Sequence, residues 1–146
     1  MKDYQNLIAG EKKIYSILAN TSAYIWEKYA NLNWAGFYVN EDNCLYLHAF
    51  QGKVACSSIE FNRGVCGHAA TTRKTVVVDD VNSFEDHIVC DINSKSEVVV
   101  PIIVDEQLFG VLDIDAPVIA RFDKKTVSEL EELVQILQRE IANLLR

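Results

Sequence analysis

The sequence predicts an α+β domain in which an antiparallel sheet is covered on one face by both an N-terminal and a C-terminal helix. Three observations carry this. Long three-to-four apolar spacing occurs near the two ends, short alternating or β-branched runs fill the middle, and polar turns join neighbouring runs. The chain has 146 residues, 49% hydrophobic and 24% charged, with six glycines and two prolines. Such a composition fits one compact domain over residues 1–146 and neither disorder nor low complexity.

The first helix is expected from Glu11 to about Tyr29, where Ile14, Ile17, Leu18, Ile25, Trp26 and Tyr29 recur with no glycine or proline between them. Trp34–Val39 is aromatic and β-rich, and the polar cluster Asn40–Asn43 turns it into Cys44–Phe50, where Leu45, Leu47 and Ala49 alternate with Tyr46, His48 and Phe50. A third strand is expected at about Ala55–Phe61. Arg63–Arg73 then reads as a turn feeding a short helix, whose unpaired first amides can attract an anion. Thr75–Val78 is a further β-branched run, followed from Asp79 to about Lys95 by a polar stretch long enough to suggest a functional loop. Glu97–Val104 and Leu108–Ile114 are the most strand-like segments, paired through a turn at Asp105–Gln107. The last helix places Val127, Leu130, Val134, Leu137, Ile141 and Leu144 on one stripe, with Asp123 or Thr126 as its cap. That stripe suits packing on the sheet; a contact in a possible homodimer is the alternative.

Charge narrows the function classes. Fourteen Lys and Arg against 21 Asp and Glu give a net charge of -7, which disfavours nucleic acid and anionic membranes as partners. No apolar run approaches the ~20 residues of a membrane span. The start MKDYQNLIAGEKK has no apolar signal-peptide core, so a reducing, cytoplasmic setting is expected for Cys44, Cys56, Cys66 and Cys90. There, cysteines more often pack, bind metal or do chemistry than form stable bridges. Cys44, at a strand edge, reads as packing. Cys90 lies in the long polar stretch, three residues after His87 and just before Asp91, where a thiol is accessible. Zinc ligation by Cys66-x-His68 and His87-x-x-Cys90 is the lesser reading, because Cys-x-His is not a usual knuckle spacing and the two loops would have to meet. No metal site is assigned.

The acidic residues are also patterned. Asp113 and Asp115 flank Ile114, so a period of two points both carboxylates to one face, and Glu97 begins the neighbouring strand. Three carboxylates brought to one end of a sheet repel when ionised. One then holds its proton at neutral pH and can act as an acid, or the set binds a cation.

In order along the chain, Asn33-Trp34-Ala35-Gly36-Phe37-Tyr38, Phe50-Gln51-Gly52-Lys53, Ala55-Cys56, Arg63-Gly64-Val65-Cys66-Gly67, His87-Ile88-Val89-Cys90-Asp91, Ser96-Glu97-Val98-Val99-Val100-Pro101 and Gly110-Val111-Leu112-Asp113-Ile114-Asp115 resemble the motifs of the free methionine-(R)-sulfoxide reductases. These are single-domain enzymes on the GAF fold. The resemblance runs from about residue 10 to the C-terminus, and three cysteines combined with the Glu and Asp-x-Asp elements set it apart from a generic GAF sensor. Val54 departs from a frequent proline, Lys95 from a frequent arginine, and Cys44 lies outside the motifs.

The resemblance implies a GAF-like sheet with terminal helices on one face and active-site loops on the other. It implies reduction of free L-methionine-(R)-sulfoxide, with Cys90 as the nucleophile left as a sulfenic acid. Cys56 is then the first choice for the resolving thiol and Cys66 the alternative or a second relay, with an external dithiol such as thioredoxin restoring the enzyme and no bound cofactor. Glu97 and Asp115 are candidate acids; with Asp113 they would hold the substrate ammonium and sulfoxide oxygen. Trp34 and Tyr38, on one strand face, would receive the methyl group, and amides of the Gly64–Ala70 turn would meet the substrate carboxylate. The carboxylates should raise the Cys90 pKa, a tension that bound ammonium would offset. A small-ligand or redox sensor without catalysis is the competing reading.

Overall fold

A computed structural model describes residues 1–86, 88 and 92–146; His87, Val89, Cys90 and Asp91 lie outside the described residues. The elements run α1 (Lys2–Ile8), α2 (Ile14–Lys28), β1 (Trp34–Glu41), β2 (Cys44–Gly52), β3 (Ser58–Glu60), α3 (Gly64–Thr72), β4 (Val76–Val78), β5 (Ser96–Val104), β6 (Gln107–Ala116) and α4 (Lys124–Leu145). The six strands form one sheet in the order β3-β2-β1-β6-β5-β4, and every neighbouring pair is antiparallel. Two hairpins organise it. Asp42 and Asn43 sit at φ 52° and 63°, and Asp105 and Glu106 at 49° and 68°. Successive left-handed residues of this kind match the twist of the strands they join, as in tight hairpin turns.

Alternation along the strands divides the apolar residues between two layers. Ala35, Phe37, Val98, Val100, Leu112 and Ile114 face α1, α2 and α4, whose Tyr4, Ile17, Leu18, Leu133 and Leu137 complete the larger core. Val99, Val111, Leu45 and Ile59 face the other way, under α3 residues Val65, Ala69 and Ala70. The two terminal helices therefore share one face, as expected.

The differences from expectation are local. α1 is an additional short helix whose Tyr4 and Ile8 are fully buried. Tyr4 hydrogen-bonds Thr21 at 2.8 Å, so packing against α2 supplies what seven residues of propensity do not. β3 is shorter than expected, pairing only Ser58–Glu60 with β2. Asp123, rather than Thr126, caps α4, accepting a hydrogen bond from the Thr126 amide at 2.8 Å. The α4 stripe is used within the domain: Leu130, Val134, Leu137 and Ile141 are buried in the larger core. Among the described residues no helix is long and apolar enough to cross a membrane.

Candidate active site

The face opposite the terminal helices carries the candidate site residues. Register places Trp34 of β1 opposite Asp115 of β6, and Asp115 opposite Glu97 of β5. In the next row of that face stand Gly36, Asp113 and Val99. The expected gathering of three carboxylates at the end of the β5–β6 hairpin is thus a consequence of strand pairing and period two.

Glu97 and Asp113 are each 6% exposed, and Asp115 is half-buried. Burial is the main reason that the Glu97 carboxyl is pushed well above the usual carboxylate range; the charges of Asp113 and Asp115 and hydrogen bonds to both add to it. Glu97 therefore holds a proton where its neighbours would repel a third charge. Asp115 is fixed from its other side by a polar chain: Asn33 Nδ2 donates to Ser94 Oγ at 3.0 Å, and Ser94 Oγ donates to Asp115 Oδ2 at 3.2 Å. Ser94 had no periodicity to reveal it; its only signal was its place in a long polar stretch.

The aromatic wall is a stack. Trp34 lies 5.9 Å from Tyr38 at 26° and 5.1 Å from Phe50 at 16°, measured between ring centroids and planes. Gly36 permits the close approach of β2 at this point, since a Cβ there would fall 2.3 Å from the Phe50 Cβ and 2.8 Å from the Ala49 carbonyl. Both Trp34 and Tyr38 give their polar hydrogens to backbone carbonyls of one loop. Trp34 Nε1 donates to the Lys53 carbonyl at 3.1 Å and the Tyr38 hydroxyl to the Cys56 carbonyl at 2.9 Å.

α3 closes the cleft from above. Gly64 begins it at φ 64°, a conformation that favours glycine, and a Cβ there would press on Ile88 at 3.0 Å. Its amide, expected to be open to an anion, donates to Asp86 Oδ2 at 3.1 Å, and Arg63 Nε donates to the same oxygen at 3.2 Å. Asp86 was not legible as a cap because it lies 22 residues from the helix that it serves.

The cysteines separate. Cys56 is bonded in a disulfide, whereas Cys44 and Cys66 are free thiols. Cys66 is buried in the cleft wall, where burial first and the charges of Asp113, Glu97 and Asp115 next push its thiol well above its usual range. Its sulfur and oxygens of Glu97 and Asp113 lie within 4.8 Å of one another, close enough to share a metal ion. Asp113 is hydrogen-bonded to both Glu97 and Cys66. His68 is on the exposed side of α3 with its ring edge against Phe84, so the Cys66-x-His68 pair does not converge. Cys90, the expected nucleophile, and His87 lie outside the described residues.

Trp34, Tyr38, Cys66, Glu97, Asp113 and Asp115 together line one cleft. A GAF domain profile matches residues 14–141. The chain is 45% identical to the free methionine-R-sulfoxide reductase of Escherichia coli over 141 residues, which cover 97% of this chain and 86% of that protein. The chain belongs to the GAF-domain family of free methionine-(R)-sulfoxide reductases. Solved structures agree. The reduced form of the fRMsr of Staphylococcus aureus superposes with a TM-score of 0.94 at 47% identity, covering 97% of this chain and 92% of that one. The free methionine-R-sulfoxide reductase of Neisseria meningitidis, solved in complex with its substrate, also gives 0.94, at 39% identity over 98% and 86% of the two chains. The fold and the family expected from the motifs are therefore both found. A GAF sheet also accounts for the division of faces, with terminal helices behind the sheet and α3 and the connecting loops over the cleft.

Proposed function

We propose that the chain reduces free L-methionine-(R)-sulfoxide to methionine by thiol chemistry in this cleft. The observation that carries the reading is a buried Glu97 beside Asp113 and Asp115, its carboxyl pushed well above the usual range by burial and those neighbours, in one cleft with the Trp34–Tyr38 aromatic wall. A zwitterionic sulfoxide needs these groups. Asp113 and Asp115 would meet the ammonium, and Trp34 and Tyr38 the methyl group.

In the first step the Cys90 thiolate attacks the sulfoxide sulfur while Glu97 gives its proton to the oxygen. The S–O bond breaks as oxygen passes to the cysteine sulfur, giving methionine and Cys90 sulfenic acid. Proton and ammonium together lower the negative charge that the thiolate would otherwise face. In the second step the Cys56 thiol condenses with the sulfenic acid, forming a disulfide and water. Cys56 is favoured over Cys66 because it is the one found in a disulfide, while Cys66 is a buried thiol held protonated. An external dithiol such as thioredoxin then exchanges with the disulfide and returns both thiols. The scheme uses no bound cofactor and suits a reducing cytoplasm. A homodimer would need a surface other than the α4 stripe, which is buried in the domain.

Incubating the chain with dithiothreitol and racemic free methionine sulfoxide, then separating the epimers, tests the reading. Loss of the R epimer with equivalent gain of methionine is expected. Loss of neither would sink it and leave the small-ligand or redox sensor; loss of the S epimer would overturn the stereochemistry.

A further inference from the structure

The polar atoms of the aromatic wall are hydrogen-bonded to the thiol loop. Trp34 and Tyr38 are 3% and 2% exposed and stand on a central strand, stacked on one another and, through Trp34, on Phe50. Each donates its single side-chain hydrogen bond to the segment between β2 and β3: Trp34 to the Lys53 carbonyl and Tyr38 to the carbonyl of Cys56 itself. Between those two anchors the segment leaves the sheet, and Val54 is 88% exposed. Its far end is fixed again where the Leu47 amide donates to the Ser57 carbonyl at 3.0 Å. Lys53 and Val54 are exposed, while Ala55 and Cys56 pack half-buried against the smaller core, so these hydrogen bonds act together with that packing and with the Cys56 bridge to hold the segment.

We propose that the Tyr38 hydroxyl is a positioning group for disulfide closure, holding the Cys56 carbonyl so that the wall receiving the substrate also sets the resolving thiol in place. The inference rests on the reading above, in which Cys56 resolves the sulfenic acid. The donor is permanent: burial foremost, then the nearby acidic groups, push the Tyr38 phenol far above its usual range, so the O–H persists at every working pH. The hydrogen bond is seen with Cys56 bridged. It therefore lowers the free energy of the closed arrangement relative to arrangements in which the loop has swung out. Sulfenic acid left waiting is open to over-oxidation, so rapid closure protects the enzyme.

Tyr38→Phe deletes one oxygen and keeps the ring, so it tests the hydroxyl alone. In a single turnover without reductant, methionine release and disulfide closure are followed separately by rapid quench, with dimedone trapping the sulfenic acid. The ratio of closure rate to release rate should fall on the order of tenfold, the size expected for one buried hydrogen bond. Trappable sulfenic acid should accumulate, and amides of residues 53–57 should exchange faster with deuterium. If both rates fall by the same factor, or if closure keeps its rate, the hydroxyl does not position Cys56 and the proposal is overturned. If Tyr38→Phe does not fold, Trp34→Phe removes the other donor and is read by the same ratio. An unsubstituted chain that releases no methionine would overturn the underlying reading, and the proposal with it; methionine release followed by a bridge lacking Cys56 would overturn the proposal alone.

Discussion

The two faces of the sheet are made from the same strands by neighbouring residues, yet they differ in what they bury. Phe37, Val98, Leu112 and Ile114 turn to the helices and join the larger apolar core. Tyr38, Glu97, Asp113 and Asp115, each next to one of these in the chain, turn to the cleft. Burial on the first face stabilises the fold at roughly 25 cal/mol per Å² of apolar area. On the second face it desolvates carboxyl groups, which opposes folding and is offset only by hydrogen bonds and a retained proton. A period of two thus isolates an electrostatically costly site from the core that supports it.

Substitutions on each face should separate accordingly, and the largest effects belong to the cleft. Cys90→Ser is expected to lower methionine release by at least about 10³-fold even in excess dithiothreitol, because no other thiol stands in for the nucleophile. Single-turnover release at an unchanged rate would move the nucleophile to Cys56 or Cys66.

Glu97→Gln should cost about 10²- to 10⁴-fold in release, the range of a lost general acid. Its effect on stability has the opposite sign. Folding raises the Glu97 pKa, so its stabilising contribution is complete below the unfolded carboxyl range and is lost as pH rises through the elevated folded value. Glutamine is neutral in both states and removes that slope. Denaturant midpoints measured from pH 5 to 9 should therefore decline less for the variant; a steeper decline would break the assignment of the proton to Glu97.

On the helix face, Leu112→Ala should destabilise the domain by about 2–5 kcal/mol. Leu112 is fully buried, and it precedes Asp113. Turnover per folded molecule should change little, and a loss matching that of Glu97→Gln would show that the faces are coupled. Smallest is Asp123→Ala, which removes the α4 cap and should cost about 1 kcal/mol in denaturant unfolding without touching turnover.

What could be read in advance follows the same division. Period two alone placed Asp113 and Asp115 on one face, and the β5–β6 hairpin brought Glu97 to Asp115. The α4 stripe was equally legible, since its three-to-four spacing persists over 22 residues, although its partner could be named only when the helix was seen on the sheet. α1 was not legible, because Tyr4 and Ile8 gain their burial from α2 and α4 and not from any local signal. The contacts of Tyr38 and Trp34 with the Cys56 loop were hidden for another reason: their acceptors are backbone carbonyls, which carry no mark in the sequence. The family motifs named Cys56 and Tyr38 as members of one site, but only the structure joins them.

The account stands or falls on which sulfurs are joined after one turnover. The fully reduced chain, mixed with one equivalent of free methionine-(R)-sulfoxide and no reductant, should yield about one methionine per chain, the stoichiometry of one two-electron step. Peptide mapping after alkylation should then find Cys56 linked to Cys90, with Cys44 and Cys66 alkylated as thiols. A bridge containing Cys66, or methionine released with all thiols still free, would contradict it.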